Sequence, residues 1–237
     1  MGVLLCHGFT GSPHTLRGWA DYLAGQGLTV SLPRLPGHGT TWQDMARTGS
    51  DDWLAAVDAA FTKLAGQCEQ VFVFGLSMGA CLALRLAETR GGAVRGLVLV
   101  NPSLAPDTRL FLLAPVLKHV LRSMPGIASD IAKPGVSEVG YDRVPVRSAA
   151  TLPKLWSATT RDLGEVTQPV LVYRSATDHV VGPASMRVLL AGIAQNRAAP
   201  SQVTVRECPD SYHVATLDND AGAIFEGSLK FTQDHSK

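Results

Sequence analysis

The sequence predicts an α/β fold: a mostly parallel central sheet with helices on both faces and an inserted cap. Three observations carry this. Six short runs (Val3 to Cys6, Leu28 to Leu32, Val71 to Phe74, Leu97 to Val100, Val170 to Tyr173 and Val203 to Val205) read as strands. They are nearly all apolar rather than alternating, as in strands covered on both faces. Helical patterns fill the intervals, and β alternating with α implies parallel pairing through right-handed crossovers. One interval, from Val100 to Pro169, shows no strand pattern and is too long for a plain loop.

Taken in order, Ser12 followed by Pro13 is a good N-cap and first-turn pair, and Leu16, Trp19, Ala20 and Leu23 then share one face. "LPGHG" around His38 reads as a structural turn. A second helix starts near Ser50 or Asp51, with Trp53, Val57, Phe61 and Leu64 along one stripe. A third follows Ser77. Residues 105–165 carry helical patterns broken by Pro115, Pro125, Pro134, Pro145 and Pro153. Leu110, Leu113, Leu117, Leu121 and Met124 recur there at helical spacing, with Pro115 placed to kink or split the helix. This segment is read as a cap over the C-terminal edge of the sheet, with residues 1–104 and 166–237 as the core. The alternative is two ordinary helices of the main layer. The last helix carries Ile224 and Phe225.

The chain has 237 residues and is 46% hydrophobic, enough for one α/β domain with a sizeable core. A net charge of +1 gives no reason to expect nucleic acid or an acidic membrane as partner. Cys6, Cys68, Cys81 and Cys208 form no CxxC pair, which argues against a metal or disulfide framework and for a reducing compartment. Apolar runs fall far short of the roughly 20 residues of a membrane span. "MGVLLCHG" lacks the basic start and length of a signal peptide, and Cys6 breaks the myristoylation pattern. The expected location is cytoplasmic.

The chemistry centres on Gly75-Leu76-Ser77-Met78-Gly79, a G-x-S-x-G match with an apolar strand before it and a helix after it. A sharp strand-to-helix turn lifts the serine above the sheet edge, and the flanking glycines let backbone approach a strained turn. The competing reading is a small polar turn residue or helix cap. A serine hydroxyl is a weak nucleophile near neutral pH and needs a base and an orienting acid. His213, in "CPDSYHVATLD", follows the last strand, and Asp178 lies five residues beyond Tyr173. The order Ser77, Asp178, His213 places all three on loops at one sheet edge. The rivals are His179, read as a loop residue, Asp210, read as a turn residue, and Asp218, a weaker alternative acid. For a developing oxyanion the expected donors are the backbone N–H groups of Met78 and of Phe9, in the Gly-rich loop His7-Gly8-Phe9-Thr10-Gly11.

Together these residues resemble the α/β-hydrolase superfamily, and more narrowly the small bacterial carboxylesterases and monoacylglycerol lipases. The carrying stretches are "LLCHGFTGSPHTLRGWADYLAGQGLTVSLPRLPGHG", "GSDDWLAAVDAAF", "VFGLSMGACLALRLAE" and "YHVATLD". The resemblance spans essentially the whole chain and is weakest across the cap. It implies ester hydrolysis through an acyl-enzyme without cofactor or metal, a triad on Ser77, Asp178 and His213, and oxyanion donors on Phe9 and Met78. Two departures stand out. The sequence starts almost inside the "HGFTG" strand, so the edge strand usual before it is expected either to be absent or to lie before a start assigned late, and Tyr212 replaces the glycine usual before the histidine.

An apolar cap with Phe111, Met124 and Trp156 suits an acyl chain, so the expected partner is a small ester with an apolar acyl group, contacting Phe9 and Met78. No integral membrane association is expected, and the chain is taken as a monomer or weak dimer. Alternatives are acyl transfer or C–C hydrolysis by the same triad, or a non-catalytic binding protein for a hydrophobic ligand.

Overall fold

A computed structural model describes residues 1–106, 113–114, 116–127, 129–195 and 202–236. Leu110, Phe111 and Pro115 of the expected cap helix lie outside the described residues. The expected strands form as β1 (Gly2–Cys6), β2 (Thr29–Ser31), β3 (Val71–Leu76) and β4 (Val94–Val100), then, after two short additional strands, β5 (Ser123–Pro125) and β6 (Arg143–Pro145), as β7 (Val170–Ser175) and β8 (Val203–Cys208). The main sheet has the order β2-β1-β3-β4-β7-β8, and every pair in it is parallel. At one edge β2 is only three residues long, which limits the row of backbone groups open to pairing with another chain.

The register shows why the strands are apolar throughout. Leu4, Val73, Leu97 and Val170 lie in one row across four strands, and Leu5, Phe74, Val98 and Leu171 in the next. Successive side chains point to opposite faces. The first row joins a core under α3 (Ser50–Ala65), which follows the short α2 (Trp42–Met45), and α4 (Met78–Arg90); the second packs against Trp19, Leu23, Ile224 and Phe231 of α1 (Arg17–Gly25) and α8 (Ala221–Asp234), the helix after α7 (Pro183–Ile193). Each such side chain contributes about 1.5–3 kcal/mol by burial. Both faces need helices, and both have them.

Local signals are realised with small shifts. Ser12 Oγ accepts from the His14 N–H, but the turn it caps, Pro13–Leu16, is 3₁₀ and leads into α1. The N-terminus of α3 is closed by the Asp52 carboxylate accepting from the Gly49 N–H at 2.9 Å. Cys6, Cys68, Cys81 and Cys208 are all free, and burial pushes the thiols of Cys6, Cys81 and Cys208 up to about 12. No described helix is long and apolar enough to cross a membrane.

Between β4 and β7 the structure differs from the strandless, helical expectation. Residues 113, 114, 116 and 117 are helical, but 118–120 form a turn, and Met124 pairs with Val144 in an antiparallel two-stranded ribbon of β5 and β6. Three-residue strands are too short for an alternating pattern to register in sequence. Pro125 and Gly126 end the helical spacing that had included Met124. Beyond the short helix α5 (Val146–Ala149), α6 (Leu152–Asp162) lies beside α4. Its Leu152, Leu155 and Trp156 share the core of Val73 and Leu97. Arg85 of α4 binds Asp162 at 2.6 Å and Glu88 at 2.8 Å, which ties α6 to the body.

Candidate active site

The turn between β3 and α4 is strained where the motif places it. Ser77 has φ 57° and ψ −119°, a left-handed conformation rare for a residue with a Cβ. The strain is held by backbone bonds: Ser77 N–H donates to Val100 at 2.9 Å, and Ser103 N–H donates to the Ser77 carbonyl at 3.2 Å. Gly75 and Gly79 are glycine for a steric reason. A Cβ on Gly75 would strike the Gly79 backbone, and one on Gly79 would strike the Cys6 carbonyl. The start of α4 therefore nests against the end of β1. Ser77 precedes the helix but makes no side-chain capping bond, which argues against a helix-cap role.

His213 Nδ1 lies 2.8 Å from Asp178 Oδ2, and both side chains are 8% exposed. The other carboxylate oxygen, Asp178 Oδ1, accepts from Val181 N–H at 2.7 Å and Val180 N–H at 2.9 Å. Burial alone would raise the Asp178 pKa. The His213 hydrogen bond and charge, with the two N–H groups, outweigh it and hold the carboxyl below the ordinary aspartate value. A carboxylate only accepts, so His213 Nδ1 carries the proton and neutral Nε2 is left as a base. Ser77 and His213 line one cavity of about 300 Å³ with Phe9 and Met78. No hydrogen bond joins Ser77 Oγ to a described residue; such bonds often tighten only when substrate binds.

The histidine loop is held from several sides. Asn101, at φ 44°, donates from Nδ2 to the His213 carbonyl at 2.8 Å and to Ser175 Oγ at 2.9 Å. Ser175 Oγ in turn donates to the Tyr212 carbonyl at 2.7 Å. On the opposite side, a Cβ on Gly8 would lie 3.5 Å from Ser77 Cβ, so the loop carrying Phe9 runs directly past the serine. Among the described residues, neither the Phe9 nor the Met78 N–H has a protein acceptor. Met78 is the first residue of α4, where a free N–H and the positive end of the helix dipole coincide.

The rival residues separate cleanly. His38 is buried outside this cavity, with Nδ1 on the Pro36 carbonyl and its ring edge-on to Trp53 and His7. Burial pushes His38 down to about 4 and His7 to about 3, so both are neutral packing groups near pH 7. Asp210 is exposed and lies in a turn, its N–H on Asp220. Asp218 is buried and accepts from the N–H groups of Ala132, Lys133, Tyr212 and Asn219, not from a histidine ring. Met124 is not in the cavity wall, whereas Trp156 is.

Two cavity residues, Asp130 and Glu138, carry no local sequence signal, and a third, His179, gains a partner that sequence does not show. Asp130 accepts from the His179 and His213 N–H groups and binds His179 Nδ1 at 2.8 Å. His179 lies on a loop, as expected, but its ring is held by a residue 49 positions away. Glu138 faces the same cavity, and burial, against the pull of His213, pushes its carboxyl up to about 7. Between the ordinary value of 4.5 and about 7 the folded state holds a proton that the unfolded chain releases. That contribution is present below 4.5 and is lost as pH rises through about 7. Glu138→Gln should therefore gain on the unaltered protein by on the order of 2 kcal/mol between pH 5 and pH 8. Thermal melts at the two pH values would show it as a melting-temperature difference growing by about 5 °C.

The serine aminopeptidase S33 family profile matches residues 2–220. The thermostable monoacylglycerol lipase of Bacillus sp. (strain H-257) is 39% identical over 237 residues, covering 100% of this chain and 92% of its own length. A solved structure from work on the metagenome-derived lipolytic enzymes LipS and LipT superposes with a TM-score of 0.93 at 36% identity, covering 99% of this chain and 94% of the other. The monoacylglycerol lipase of Paleococcus ferrophilus shares the fold at a TM-score of 0.80 and 20% identity, covering 99% and 94%. With the fold, the profile and a full-length relative in agreement, the chain belongs to the α/β-hydrolase family that the serine aminopeptidase S33 profile describes.

Proposed function

We propose that the chain is a serine carboxylic-ester hydrolase that cleaves short- to medium-chain acyl esters, monoacylglycerols included, through an acyl-enzyme on Ser77. The observation that carries this reading is the Asp178–His213 pair opening onto the same cavity as a strained Ser77. His213 Nε2 takes the Ser77 Oγ proton as Oγ attacks the ester carbonyl. The N–H groups of Phe9 and Met78 stabilise the tetrahedral oxyanion. Asp178 keeps the imidazole in its tautomer and stabilises the imidazolium. Collapse breaks the ester C–O bond, and His213 gives its proton to the departing alcohol. Water, deprotonated by the same nitrogen, then releases the acid and restores Ser77. No step calls for a cofactor or a metal.

The segment 105–165 is read as a cap, and its Ile127, Val144, Leu152 and Trp156 line the cavity that holds Ser77. This wall is apolar and fits an acyl chain. The lipase named among the relatives points the same way. The four free thiols fit a reducing, cytoplasmic compartment.

Chain length tests the substrate class. Each buried CH₂ adds up to about 0.8 kcal/mol, or roughly fourfold in kcat/KM. Across p-nitrophenyl esters, kcat/KM should climb from acetyl into the medium-chain range and then level off. A preference for acetyl over every longer chain would overturn the reading.

A further inference from the structure

The cavity is lined by a second Asp–His pair, Asp130–His179, besides the His213 that Asp178 holds from behind its wall. His179 Nδ1 binds Asp130 Oδ1 at 2.8 Å, while Asp130 Oδ2 accepts from the His179 and His213 N–H groups at 3.1 and 3.2 Å. Asp130 is 7% exposed and its three contacts are all donors, so it acts as an acceptor throughout. The proton of neutral His179 is thereby fixed on Nδ1, and Nε2 is left as a bare acceptor. Among the described residues Nε2 has no partner. The ring is steadied edge-on against Tyr212, at 4.8 Å between centroids and 86°. Its side chain is 55% exposed, and the residue lines the cavity that holds Ser77 and His213. Structural support alone does not account for this arrangement, because the backbone N–H bonds of Asp130 already anchor both loops. What the ring adds is an oriented, half-exposed acceptor in the wall of the site, beside the residue that precedes His213.

We infer that His179 is a specificity residue for the alcohol half of the ester, its Nε2 accepting a hydrogen bond from a free hydroxyl of a polyol leaving group such as glycerol. This rests on the ester-hydrolase reading and names which alcohols that site favours. Such a contact distinguishes a glycerol monoester from a simple alkyl ester of the same acid. Its worth, as one hydrogen bond, is roughly 3- to 10-fold in kcat/KM.

The test is kcat/KM for glyceryl monooctanoate and for methyl octanoate, measured with the unaltered chain, His179→Ala and His179→Phe. The second variant keeps a ring against Tyr212 and guards against simple loss of packing. The expected result is a 3- to 10-fold fall in the glyceryl-to-methyl ratio in both variants, mostly through KM for the glyceryl ester. An unchanged ratio, whether both activities persist or both fall alike, would overturn the inference and leave His179 as a loop clamp. Hydrolysis of neither ester by the unaltered chain would overturn the ester reading itself, and this one with it.

Discussion

Ser77→Ala is expected to lower kcat/KM for every ester by roughly 10⁴- to 10⁶-fold, with the melting temperature within a few degrees of the unaltered protein. The size follows from the chemistry. On the proposed mechanism there is no acyl-enzyme without Oγ, and what would remain is water attacking a carbonyl polarised by the Phe9 and Met78 N–H groups. The small effect on stability follows from the structure. The Ser77 side chain caps nothing, and the bonds holding the turn are its backbone bonds to Val100 and Ser103. Alanine accepts φ 57° no better and no worse than serine. His213→Ala should give a comparable loss, and the double variant scarcely more, because on the proposed mechanism the residues act as one unit. Steady-state kinetics on one medium-chain ester, with a thermal melt of each variant, checks all of this.

Gly79→Ala has the largest expected effect on folding. Its Cβ would overlap the Cys6 carbonyl and come within 2.7 Å of the His7 carbonyl oxygen. Both obstacles are backbone, and β1 is paired on both sides by β2 and β3, so neither can move away cheaply. The expected cost is at least about 3 kcal/mol out of a total stability of about 5–15 kcal/mol. That corresponds to a fall of at least about 6–12 °C in melting temperature for a chain of this size. Gly25→Ala is the control. It lies at the end of α1 with nothing within 4 Å of the added Cβ, so the change should be neutral or slightly stabilising. Equal melting temperatures for the two variants would show that α4 does not need its close approach to β1.

Both effects arise from elements legible in sequence, and the reason is locality. The six strands are short apolar runs bounded by turn residues, and burial on both faces leaves that mark in each run separately. The order of Ser77, Asp178 and His213 along the chain, each just beyond a strand, was enough to bring them to one sheet edge. The structure places Asp178 and His213 in hydrogen-bond contact and His213 beside Ser77 in one cavity.

What could not be read was built from long-range contacts. The β5–β6 ribbon joins residues about 20 apart through strands too short to show a period. Asn101 gives no hint in "LVLVNPS" that it will bind Ser175 and the His213 carbonyl. Asp130 and Glu138 reach the site from the segment between β4 and β7, whose path local patterning does not determine. His179 looked like a bystander to its neighbour Asp178, because its partner is Asp130. In each case the chemistry of the residue was visible and its partner was not.

The central claim, that Ser77 is the activated nucleophile of this cavity, is tested most directly by treating the folded protein with a fluorophosphonate and locating the adduct by peptide mass spectrometry. The account predicts a single adduct on Ser77, formed far more slowly in His213→Ala. An adduct on another residue, or none on folded protein, would contradict it.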